Sequence, residues 1–89
     1  MKKVIVATEK ATGKRYGYCI NSGVDWFAPG LTGLCTAALP IQKAEERIRQ
    51  LTMQELVRMF RTEKEGQNYD CETVNLKGFT LTLEDPINP

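Results

Sequence analysis

Between Pro40 and Lys64 the apolar residues keep a helical spacing but change direction partway, and this constrains the fold more than any other feature of the chain. Ile41, Ala44, Ile48 and Leu51 recur every three or four residues, the spacing of one helix face. Pro40 suits the first helical turn, where its missing N–H removes no hydrogen bond. From Met53 the pattern restarts through Leu56, Val57 and Phe60. At about 100° per residue, the second stripe points roughly 150° away from the first. One straight helix cannot turn both stripes to one core, so the spacing predicts two helices, or a sharp bend, at Leu51–Thr52.

Local signals favour that break. Thr52 followed by Glu55 has the pattern of a capping box, in which the hydroxyl accepts the amide three residues on and the carboxylate reaches back. Such a cap contributes about 1 kcal/mol. Gly66 supplies a residue suited to the left-handed end of the second helix. Met53, Met59 and Phe60 then read as core on its inner face. Lys43, Arg47 and Gln50 oppose the first stripe, and Arg58 and Arg61 lie off the second. Glu45 and Arg49 form a favourable i,i+4 pair.

The segments around this region look extended. Lys3–Glu9 is rich in β-branched residues, Lys10–Gly13 is a turn signal, and Lys14–Ile20 follows as the second strand of a hairpin. On that strand Tyr16, Tyr18 and Ile20 share one face, expected to meet the helices. Asn21-Ser22-Gly23 and Pro29-Gly30 are turn signals around Val24-Asp25-Trp26-Phe27-Ala28, which reads as a loop with Trp26 inward and Phe27 partly covered. Near the C-terminus the apolar phase flips from Val74 and Leu76 to Phe79, Leu81 and Leu83, with Gly78 at the switch. This is either a bulge or a hairpin turned by Asn75–Gly78, and Asn first with Gly fourth favours the hairpin. The fold class expected is α+β: an antiparallel sheet of three to five strands, an N-terminal hairpin plus a C-terminal strand or hairpin, packed by two consecutive helices. Residues 1–89 form a single domain, with 85–89 a loose tail.

Length bounds what such a chain can do. Eighty-nine residues make one modest core. The net charge of +1 implies no general attraction to nucleic acid or membrane. Through Thr62, ten Lys and Arg face five Asp and Glu, and from Glu63 onward two face six. That asymmetry can steer a partner or tie the two parts together. Cys19, Cys35 and Cys71 are odd in number and widely spaced, which fits reduced, buried thiols. The apolar run after Met1-Lys2-Lys3 is too short for a signal sequence, and nothing approaches a membrane span, so a cytoplasmic location is the expectation.

The sequence contains no histidine, which excludes Ser–His and Cys–His nucleophile pairs and His-bearing zinc sites. Gly30-Leu31-Thr32-Gly33 lacks the spacing and the lysine of a phosphate loop. No catalytic residue, metal or cofactor is therefore expected. The reading that remains is a non-catalytic protein-binding module, an inhibitor or adaptor that covers a partner's surface. Phage and mobile-element products that block host machines, anti-CRISPR proteins among them, are chains of this size. Asp25, Trp26, Phe27 and Leu31 are the candidate partner-binding residues, because a lone Trp beside a Phe is an anchor pattern. Lys43, Arg47, Arg58 and Arg61 are a candidate anion-facing surface. Nucleic acid is the alternative partner, through Tyr16, Tyr18, Lys14, Arg15 and the helix arginines. A small enzyme or enzyme subunit is the third reading, resting on Asp25 or Cys19. A second copy pairing through an open sheet edge is also expected.

Overall fold

The computed structural model describes residues 1–21, 24–29, 37–61 and 71–86. Its strands are β1 (Lys2–Glu9), β2 (Arg15–Asn21), β3 (Val24–Pro29), β4 (Leu39–Pro40), β5 (Leu56–Arg61), β6 (Cys71–Asn75) and β7 (Phe79–Glu84). One helix, α1 (Ile41–Gln54), lies between β4 and β5, and a 3-10 turn, Leu76–Gly78, joins β6 to β7. Strand pairing runs β7-β1-β2-β3-β5-β6, with β4 beside the start of β1. Every pair is antiparallel except β3 and β5, which meet in parallel at Phe27 and Phe60.

Connectivity forces this sheet to curl. β6 and β7 are its two edges, yet only Leu76–Gly78 separates them. Laid flat, the path would hold its edges about 24 Å apart at an interstrand spacing of about 4.8 Å. Four residue steps span at most about 14 Å. The edges must therefore swing toward each other, forming an open, barrel-like shell around the core.

β1 is the central strand. It pairs with β2, β4 and β7, and its run Val4-Ile5-Val6-Ala7 is buried on both faces. A strand covered on both sides has no reason to alternate, which explains the unbroken apolar run. On the helix side, Ile5 and Ala7 join Tyr18, Phe27, Ala44, Leu51, Val57 and Leu76 in one cluster. On the other face Val4, Val6 and Cys19 are also buried. The N-terminal hairpin has the expected form, with Val6 opposite Gly17 and Gly13 at φ 77 in the turn. β4 enters where β1 and β2 stop pairing: the Ala37 N–H donates to the Tyr18 carbonyl at 2.8 Å, and Leu39 pairs with Lys3. The salt bridge between Asp85 and Lys3 fastens the start of the expected tail, and residues 87–89 lie outside the described set.

Two sequence-based expectations are corrected. Among the described residues there is one helix, not two, and most of them are in strands. The helix passes through the expected break, where the Thr52 hydroxyl donates to the Ile48 carbonyl at 2.8 Å instead of capping a new helix. It ends at Glu55, and Leu56–Arg61 is β5. The phase change at Met53 thus marks a switch in period from 3.6 to 2. Val57 is buried while Leu56 is exposed, and a register shift between Arg58 and Phe60 disguises the alternation. Gly66, the expected end of the second helix, lies outside the described residues. At the C-terminus the Asn75–Gly78 turn exists, its Asn75 side chain accepting the Lys77 N–H at 2.9 Å. The strands it joins do not pair with each other, so it carries the chain from one sheet edge to the other.

Candidate functional site

The site with the most developed geometry lies where α1 stops. Ile48, Thr52 and Glu55 are spaced four and three residues apart, so they share one stripe of the helix end. Facing them are Leu76 and Lys77 of the 3-10 turn and Phe79, Thr80 and Leu81 of β7. Lys10 closes the end, held there by its N–H, which donates to the Gly78 carbonyl at 2.9 Å. The groove between these walls has a volume of about 530 Å³. That is within the range of small-ligand and side-chain pockets. Its floor is apolar, built from Ile48, Leu76, Phe79 and Leu81, all of them in or against the core.

Charge is confined to the rim. Lys77 Nζ lies 3.6 Å from Glu55 Oε1 with both groups largely in water, so their attraction is small. Lys10 has no ion pair among the described residues, which leaves the rim positive. Glu55 has φ 60 and ψ −59 and is the one non-glycine residue with positive φ among those described. This is a strained conformation for an L-residue. On either side of it stand Met53, 79% exposed, and Leu56, 60% exposed. A hard stop of the helix therefore leaves two large apolar side chains in solvent beside an apolar groove.

The residues nominated from sequence are scattered. Trp26 and Phe27 lie in β3, so adjacency places them on opposite faces of the sheet. Phe27 is wholly buried, its ring centroid 5.3 Å from that of Tyr18, whereas Trp26 is half-buried opposite Cys19. The expected order, Trp26 inward and Phe27 partly covered, is reversed. Asp25 pairs with Ile20 in register, and Leu31 lies outside the described residues. Lys43 is exposed on α1. Arg47 Nε donates to Tyr18 Oη at 2.9 Å, with the guanidinium 5.8 Å from the ring centroid. Arg58 and Arg61 belong to β5 and not to a helix, and their side chains lie outside the described set.

These positions also bear on the other readings. Tyr18 is buried beneath Arg47, and Tyr16 packs edge-on against Phe79 at 5.9 Å, so the pair does not present an open stacking platform. Cys19 is buried with its Sγ 3.5 Å from the Gly17 carbonyl. Among the described residues no group of three or more His, Cys, Asp or Glu converges to hold a metal ion. None of the described helices is long and apolar enough to cross a membrane. The groove went unnoticed in the sequence because its walls come from residues 10, 48–55 and 76–81. The one local signal was the pair of apolar residues Met53 and Leu56, which fit neither α1's buried stripe nor the inner face of β5.

No family model matches the chain, and neither a curated protein nor a solved structure matches it. Its class is therefore described by its own geometry: among the described residues, a curled, mainly antiparallel sheet with one helix, open at the helix's C-terminal end.

Proposed function

We propose that this chain is a non-catalytic protein-binding module, an inhibitor or adaptor that works by covering a partner's surface. The observation that carries the reading is the exposure of Met53 and Leu56 on either side of the strained Glu55. Protein interfaces centre on a few large side chains that become fully desolvated in the complex. Trp26 supplies a further half-buried aromatic on the other sheet face. An inhibitor of the phage or mobile-element kind, anti-CRISPR proteins included, is one form of such a module.

The test is affinity capture from a bacterial host lysate with the intact chain and with Met53→Asp/Leu56→Asp. A stable partner retained by the wild type and lost by the variant is the expected result. Finding no partner for the wild type, or equal retention by the variant, overturns the reading.

A further inference from the structure

β7 pairs with β1 along its whole length, from Glu9 opposite Phe79 to Val4 opposite Glu84. Among the described residues no strand lies along its other edge. Open edges are ordinarily guarded by an internal lysine or proline, by a bulge, or by shortness. Phe79-Thr80-Leu81-Thr82-Leu83-Glu84 has six residues, alternates strictly, and carries its one charge at the last position. We propose that β7 pairs antiparallel with β7 of a second copy, joining two sheets across a twofold axis at Leu81. This stands independently of the partner-binding reading above.

The register follows from the side chains. A twofold axis at Leu81 sets Thr80 against Thr82 and Phe79 against Leu83, all within Phe79–Glu84. Directly opposed residues share a face, so apolar side chains meet apolar ones and threonines meet threonines. Beyond the strand, the basic turn residue Lys77 lies at one end and the acidic Asp85 at the other, both reaching into solvent, so an antiparallel partner brings opposite charges to each end. A one-residue slip would set the leucines against threonines of the opposite face. Slipping by two residues would leave Phe79 in one direction, or Leu83 in the other, with no strand residue of the partner opposite it. Only the Leu81 register sets every apolar residue of β7 against another. It also completes the groove: Leu83 of the second copy arrives beside Phe79, and its acidic end reaches the rim where Lys10 and Lys77 stand.

The test is sedimentation equilibrium of the full chain over a concentration series, with two sets of variants. The wild type is expected to approach twice the chain mass of 10.0 kDa. Leu81→Lys, which sets two like charges at the axis, is expected to sediment as a monomer. Mixing Thr80→Cys with Thr82→Cys chains under mild oxidant is expected to give an intermolecular disulfide joining those two positions, mapped by mass spectrometry. Neither variant alone should give a link between its own copies at the introduced position, because equivalent positions are offset along the seam beyond disulfide reach. A wild type that stays monomeric throughout overturns the proposal, as does a mixture without the mapped link. A folded Leu81→Lys chain that still dimerises also overturns it. If that variant does not fold, the cross-linking result decides alone.

Discussion

Replacing Glu55 with glycine should stabilise this protein, although it deletes a side chain and an ion pair. Glu55 ends α1 at φ 60 and ψ −59, a conformation that brings the Cβ of an L-residue against its own backbone. For glycine, which has no Cβ, the same angles mirror the common inverse γ-turn and carry no such penalty. Relief of the strain is worth about 2 kcal/mol, within the 1–3 typical of such residues. Against it stand about 0.7 kcal/mol for the freer unfolded chain and at most about 0.5 kcal/mol for an exposed ion pair with Lys77. The net expectation is a gain of about 1 kcal/mol, which for a domain of this size raises Tm by about 4–8 °C. Thermal and urea unfolding followed by circular dichroism would measure it. A loss of stability in Glu55→Gly would refute the reasoning, since it would mean that residue 55 adopts ordinary helical or extended angles. Glu55→Ala is the control: it removes the same ion pair but keeps Cβ, and should show no gain.

Other substitutions separate packing from polar contacts. Leu51→Ala removes a fully buried side chain where α1 meets the core, and should cost about 2–5 kcal/mol in urea unfolding. Tyr18→Phe keeps the buried ring and removes the hydroxyl that accepts the Arg47 Nε hydrogen bond, so a loss of about 1 kcal/mol is expected. Gly13 and Gly78 form a matched pair, since an added methyl group meets nothing within 4 Å at either, yet only Gly13 has a positive φ, at 77. Gly13→Ala should therefore lower stability by about 1 kcal/mol, whereas Gly78→Ala should be neutral or slightly stabilising. Equal effects at the two glycines would show that φ is not what separates them.

The parts of this fold legible in the sequence were those decided by neighbours in the chain. The first hairpin follows from β-branched strands around a Gly13 turn, and α1 from Ile41 through Leu51 behind Pro40. Misreading began where two periodicities agree over a short window. Met53, Leu56, Val57 and Phe60 satisfy a helical spacing, yet Leu56–Arg61 is held as a strand by β6 and by contact with β3. Those partners lie far away in sequence, and β-sheet preference is largely a matter of such partners. Trp26 and Phe27 show the same limit. Treated as loop, they invite one shared role; placed in a strand between β2 and β5, they must part to opposite faces. The C-terminal phase flip at Gly78 was visible, but not that its turn spans the gap between two sheet edges. The groove depends on that closure, so in the sequence only Met53 and Leu56 at the end of α1 signal it.

The two exposed residues at the end of α1 allow the functional reading to be put in numbers. Burying a whole Met or Leu side chain is worth about 1.5–3 kcal/mol. Scaled by exposures of 79% for Met53 and 60% for Leu56, covering both would contribute about 3 kcal/mol. The folded chain leaves this unrealised, and an interface closing over both side chains would collect it. Truncating them together, Met53→Ala/Leu56→Ala, should therefore weaken a captured partner's binding by about 100-fold. The same change should leave the unfolding midpoint nearly unmoved, since neither side chain is buried in the free protein. The two measurements must come apart in that way. A variant that loses stability and affinity in parallel would show that Met53 and Leu56 support the fold, and the docking surface would have to lie elsewhere.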